Sequence, residues 1–230
     1  RKRAIDQSSC NKDFSCLNGF CPSFITVRDA EPRKPEALAI DESILAALPE
    51  PEVARLDRGF NLMVAGIGGT GVVTVGALIG MAAHLEGKAM SLFDMTGLSQ
   101  KNGAVYSHIR IGSDPTTIVT QRVGRGEADL ILAFDVVAAV APESADTIGA
   151  GRTRVIANAD VEPTVAFQFD RDATADPTLL LGRLRRAAGE GNVMLVPGSE
   201  LALAFLGDRM GTNLFLLGIA AQQGSLPVGI

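Results

Sequence analysis

From Gly59 to the end of the chain, short apolar runs alternate with longer helix-like ones, and this alternation restricts the fold more than any other feature. FNLMVAGIGG is an apolar run ending in glycines, the pattern of a buried strand. TGVVTVGALIGMAAHLEG follows, apolar nearly all round, which suits a helix packed on a sheet, with Gly87 where a C-terminal cap belongs. KAMSLFDMTG predicts a second strand. GAVYSHIRIG alternates, with Ala104, Tyr106, His108 and Arg110 on one face and Val105, Ser107, Ile109 and Ile111 on the other. SDP joins it to TTIVTQRV, which predicts an antiparallel hairpin inside an otherwise parallel sheet. ADLILAFD, TRVIAN and NVMLVPG predict further buried strands, and VVAAVAPESADTIG, PTLLLGRLRRAAGEG, SELALAFLGD and MGTNLFLLGIAAQQG predict helices. Repeated βα units of this kind predict an α/β fold, a three-layer α/β/α sandwich with a mostly parallel, mixed sheet.

Two segments precede this α/β domain of residues 59–230. Residues 1–27 are polar, irregular and carry all three cysteines; residues 28–58 hold Pro32, Pro35, Pro49 and Pro51 among many charges, the composition of a linker, with one short helical turn near Asp41 to Leu48. A net charge of -5 leaves no excess of basic residues to neutralise phosphates, and with no Trp and one Tyr there are few platforms for stacking bases, so nucleic acid is not an expected partner. Gly, Thr and His interrupt every long apolar segment, so no membrane span is expected. The chain starts without Met and stops on the apolar phrase SLPVGI, which suggests an internal piece of a longer polypeptide. Three clustered cysteines make a poor disulfide framework and suit a reducing, cytoplasmic setting.

Three motifs could carry chemistry. Gly66-Ile67-Gly68-Gly69-Thr70-Gly71 is a GxGxxG string between a predicted strand and a predicted helix. Its glycines either let the backbone approach a phosphate at the helix start, or only allow close helix-sheet packing. Asp94, at the end of the second strand, keeps a Rossmann-type NAD or FAD reading open. Thr96 to Gly103 (TGLSQKNG) leaves the carboxyl end of that strand, where Lys101 and Asn102 offer a positive charge and amide donors to an anion, or simply form a solvated turn. Cys10-x5-Cys16-x4-Cys21-Pro22 could bring thiolates to one metal or iron-sulfur cluster, although a cubane needs a fourth ligand. The two histidines, His84 and His108, form no Ser-His-Asp or Cys-His set: His84 suits the end of a helix, and His108 suits a polar or buried strand position. No catalytic residue is assigned.

The succession of SSCNKDFSCLNGFCPSF, a Pro-rich linker, MVAGIGGTGVVTVGALIGMAAHLEGK, DMTGLSQKNGAVYSHIRI and GTNLFLLGIAAQQGSLP resembles the large fused indolepyruvate ferredoxin oxidoreductases of the 2-oxoacid:ferredoxin oxidoreductase family. The resemblance implies that residues 59–230 correspond to the gamma, or domain III, portion, and that residues 1–27 are the tail of a preceding thiamine-diphosphate domain. It implies decarboxylation of 2-oxoacids such as indolepyruvate, electron transfer through iron-sulfur chemistry to ferredoxin, and release of an acyl-coenzyme A. Cys10, Cys16 and Cys21 would then be cluster ligands, of a 4Fe-4S type. Gly66, Gly68, Gly69, Thr70, Gly71, Lys101 and Asn102 would meet coenzyme A. Thiamine diphosphate and Mg would sit in further domains of the same polypeptide, since no GDG motif is present here, so this piece should not turn over alone. Assembly as a homo-oligomer is also expected.

Overall fold

The computed structural model describes residues 38, 41–97, 103–161 and 176–229, all of which belong to one unit spanning residues 35–230. Its centre is a six-stranded sheet formed by β1 (Phe60–Ile67), β2 (Ala89–Thr96), β3 (Ala104–Gly112), β4 (Leu130–Ala133), β5 (Arg154–Asn158) and β6 (Val193–Val196), in the order β2-β3-β1-β4-β5-β6. The strands β1, β4, β5 and β6 are mutually parallel, and β3 runs antiparallel to both of its neighbours, β1 and β2.

Period-two alternation decides which side chains meet which helices. On one face, Leu62, Val64, Ile109, Leu130, Leu132 and Ile156 pack with α2 (Val72–Leu85) and α7 (Thr212–Gln222). On the other, Met63, Ala65, Ile131, Ala133 and Val155 pack with α3 (Val136–Val140) and α5 (Pro177–Ala188). Helices on both faces of a mixed sheet give the expected three layers.

Two expectations fail for identifiable reasons. The hairpin between GAVYSHIRIG and TTIVTQRV does not form, because β1 and β2 already occupy both edges of β3 and leave no ladder for residues 116–123. Instead Asp114 accepts from the Thr116 N–H, Pro115–Thr117 makes a 3-10 turn, and the chain returns across the sheet as an unpaired strap. The helix expected over VVAAVAPESADTIG is broken into α3 and α4 (Pro142–Ala145): Pro142 holds Ala141 extended, at φ -68 and ψ 152, and a proline has no N–H to continue the ladder.

The short turn near Asp41 is α1 (Glu42–Ala46), capped by the Asp41 carboxylate on the Ser43 N–H. The proline-rich segment after it runs along the α/β unit, with Gln222 donating to Pro49 O and the Ala54 N–H donating to Leu226 O. The last helix before α7 is α6 (Gly198–Leu206). No helix among the described residues is long and apolar enough to cross a membrane.

Candidate functional site

The strand order reverses between β1 and β4, and the carboxyl ends of open α/β sheets bind ligands at such a switch point. The GxGxxG string sits there, and the structure divides its glycines between the two roles open to them. Gly66 is a packing glycine: a Cβ on it would lie 2.6 Å from Val72 Cγ2 and 3.3 Å from Phe134 Cβ, so β1, the start of α2 and the end of β4 close on one another. Gly69 and Gly71 are conformational glycines. Their φ values of 87° and 95° are left-handed, and nothing lies within 4 Å of where a Cβ would stand, so they face open space.

Five hydrogen bonds hold the loop from behind. The Thr70 N–H and hydroxyl both donate to Ile67 O, at 3.3 and 2.7 Å, and the Gly68 N–H donates to Gly103 O at 2.8 Å. Asn213 Nδ2, in the first turn of α7, donates to Thr70 O at 2.8 Å and to Thr70 Oγ1 at 3.3 Å. The Thr70 hydroxyl proton is thus already committed. In front of the loop an open cleft of about 520 Å³ is bounded by residues 67–69, Gly71, the first turn of α2, Thr96, Gly97 and Val105. Gly71 supplies no capping side chain, so the first N–H groups of a 14-residue helix reach this cleft without a partner in the helix. Such amides, together with the helix dipole, favour an anion. Lys101 and Asn102 lie outside the described residues, but both described ends of their segment, Gly97 and Gly103, stand beside the glycine loop.

The dinucleotide reading loses its physical basis. It requires the second strand beside the first, so that its terminal acid reaches the ribose of a ligand on the glycine loop. Here β3 lies between them, setting β2 one strand spacing farther out, and the Asp94 carboxylate accepts from the Ser107 hydroxyl of β3.

His84 lies in the last turn of α2, as expected, and lines a groove of about 700 Å³ between α2 and β2. That groove is larger than the cleft but mainly apolar and away from the switch point; Met81, Met90, Leu92 and Ile118 help to line it. Cys10, Cys16 and Cys21 lie outside the described residues, and among the described ones no group of three or more His, Cys, Asp or Glu is placed to hold a metal.

His108 is buried on β3, beneath the strap of residues 118–123. Its Nδ1 accepts from the Val123 N–H at 3.1 Å, which places the proton of the neutral ring on Nε2. Burial first, and then the Arg122 charge, lower its pKa from 6.5 to about 4. The folded state therefore binds this proton more weakly than the unfolded chain does. The stabilising contribution is whole above pH 6.5 and is lost as pH falls towards 4, about 3 kcal/mol in all. Urea melts at pH 7 and pH 4.5 measure it: His108→Phe should show a smaller acid loss than wild type, and equal losses would refute the assignment.

Nearby on β3, the buried Tyr106 hydroxyl donates to Ala138 O at 3.3 Å, and its pKa is pushed up to about 12 by burial and then by the Glu143 and Asp135 charges. Asn213 was not foreseen as part of the site. The sequence shows only a polar residue in the first turn of an apolar helix, and nothing local says that it reaches a loop 143 positions earlier.

The family model described as pyruvate ferredoxin/flavodoxin oxidoreductase matches residues 61–230. The indolepyruvate oxidoreductase subunit IorB of Methanothermobacter thermautotrophicus is 30% identical over 173 residues, covering 74% of this chain and 81% of that protein. The same subunit of Thermococcus kodakarensis is 29% identical over 174 residues, with the same coverage. Among solved structures, the pyruvate oxidoreductase subunit PORC of Thermotoga maritima aligns with a TM-score of 0.49 and 15% identity, over 74% of this chain and 79% of that one.

Proposed function

Since the chain belongs to the pyruvate ferredoxin/flavodoxin oxidoreductase family, we propose that it serves a 2-oxoacid oxidoreductase as its gamma-type domain and receives coenzyme A at the glycine loop. The observation that carries this reading is the uncapped start of α2, opening into the cleft at the switch point of the sheet. Coenzyme A is a nucleotide with several phosphate groups, and the free N–H groups of Gly71, Val72 and Val73 suit one of them. Gly68 and Gly69 allow the close backbone approach, and Lys101 and Asn102 add charge and amide donors from the neighbouring segment.

The work of these residues is binding and orientation. Held by its phosphates, coenzyme A is brought as an acyl acceptor to an acyl group generated elsewhere in the assembly, turning a bimolecular encounter into a positioned one. Thiamine diphosphate with Mg, bound by partner subunits or domains, supplies carbanion stabilisation for the decarboxylation. Iron-sulfur groups of the assembly would pass the two electrons singly to ferredoxin, with acyl-coenzyme A as the product. Indolepyruvate and related aryl or branched-chain 2-oxoacids are the substrates this reading favours, supported by the likeness to the IorB subunits.

Amide exchange of the full-length enzyme tests the site. Coenzyme A should slow exchange at residues 69–74, whereas NADH should not; the reverse pattern would overturn the proposal. Turnover with indolepyruvate, pyruvate and 2-oxoglutarate, read as ferredoxin reduction, ranks the substrates.

Cys10, Cys16 and Cys21 are proposed as thiolate ligands of a 4Fe-4S cluster whose fourth ligand comes from elsewhere. After anaerobic reconstitution, Cys16→Ala in the full-length protein should hold about four fewer iron atoms than wild type and lose one electron paramagnetic resonance signal. Equal iron content would remove the cysteines from the relay.

A further inference from the structure

We infer that Asn213 positions the glycine loop for its anionic ligand by fixing the plane of the Thr70–Gly71 peptide, a role that rests on the coenzyme A reading above. A trans peptide is rigid, with its C=O and N–H pointing opposite ways. Asn213 draws the Thr70 carbonyl towards α7, so the Gly71 N–H must point away from α7. Gly71 also borders the cleft, and its N–H leads the run of free amides at the start of α2. Glycine at 71 leaves φ on one flank of this peptide free to turn, so its plane is held from the Thr70 side and by the Asn213 bond to its carbonyl. A flipped peptide would replace a donor with a carbonyl oxygen facing the anion.

Asn213 is itself well anchored. It is buried, and the first turn of α7 is wedged against Gly198, where a Cβ would lie 2.3 Å from Leu216 Cδ1 and 3.3 Å from Thr212 Cγ2. The Gly198 N–H is in turn held by Asn158 Oδ1 at 3.0 Å, at the end of β5. The loop after β1 is therefore braced from the far half of the sheet by one side-chain amide, and loop amides aimed before the ligand arrives need less ordering on binding.

Asn213→Asp in the full-length enzyme is the test. The change is nearly isosteric and replaces two N–H donors with an acceptor facing Thr70 O and Oγ1. A carboxylate in the first turn of α7 suits the helix dipole, so the helix itself is not at risk. The KM for coenzyme A should rise at least about tenfold, as expected for losing one or two hydrogen bonds of preorganisation, while the KM for the 2-oxoacid stays within about twofold. Without ligand, amide exchange at residues 68–72 should quicken. Asn213→Ser, too short to reach Thr70 and uncharged, should act in the same direction. A coenzyme A KM within about twofold of wild type in both variants, with unchanged exchange, would overturn the positioning role. If coenzyme A gives the wild-type loop no protection, the coenzyme A reading itself fails; the ligand-free exchange comparison then decides, faster exchange keeping the brace and unchanged exchange refuting it.

Discussion

Gly71→Asp is expected to raise the KM for coenzyme A about a hundredfold while lowering the melting temperature by only about 2–4 °C. The variant carboxylate would stand at the mouth of the free amides of α2, and a like charge set against a bound phosphate costs several kcal/mol. About 3 kcal/mol corresponds to a hundredfold loss. The fold is spared because a Cβ at position 71 meets nothing within 4 Å, and aspartate tolerates a left-handed backbone better than most residues, at about 1 kcal/mol. Gly71→Asn separates charge from shape: it carries the same bulk without the anion and should lose much less affinity. If both variants bound coenzyme A as wild type does, the cleft at α2 would not be the site.

Asp129→Ala should have the opposite profile, a large loss of stability with the loop intact. Asp129 lies just before β4, at the amino edge of the sheet and far from the cleft. Its Oδ1 receives Arg58 Nη2 and Arg152 Nε, each at 3.0 Å, and its Oδ2 receives the Asn61 N–H of β1 at 2.9 Å. Its main chain also joins β1 to the start of β5, through the Asp129 N–H on Asn61 O and the Arg154 N–H on Asp129 O. The carboxylate is 12% exposed, so this is no ordinary surface pair. Truncation leaves the partly buried Arg152 guanidinium and the buried Asn61 N–H without their acceptor, while water can take the place of the carboxylate at the exposed Arg58. The expected cost is about 2–4 kcal/mol, or roughly 5–15 °C in melting temperature. Asp129→Asn, which keeps an acceptor for Asn61, should fall between. A loss under about 1 kcal/mol would mean that solvent replaces the network.

The contrast between these edges explains how far sequence reasoning reaches. All six strands and the glycine loop between β1 and α2 are legible, because period-two and helical periodicity are written in neighbouring residues and a left-handed turn demands glycine locally. Of the loop residues expected to meet coenzyme A, Gly68, Gly69 and Gly71 border the cleft, whereas Thr70 turns its hydroxyl to Ile67 O and Gly66 packs against Val72 and Phe134. The false hairpin shows the limit. GAVYSHIRIG and TTIVTQRV are sound partners locally, but pairing depends on which strand edges remain free, and β1 and β2 take both edges of β3.

The sequence by itself therefore determined the class of fold, the order of its elements and the place where an anion could meet a helix, since each follows from local period and backbone freedom. Tertiary structure alone decided that β3 separates Asp94 from the glycine loop, that Gly66 packs while Gly69 and Gly71 face open space, and that Asn213 braces Thr70 across 143 positions. Those outcomes depend on strand order and helix docking, which arise from burying the two faces of the sheet together and leave no mark in any short stretch of residues.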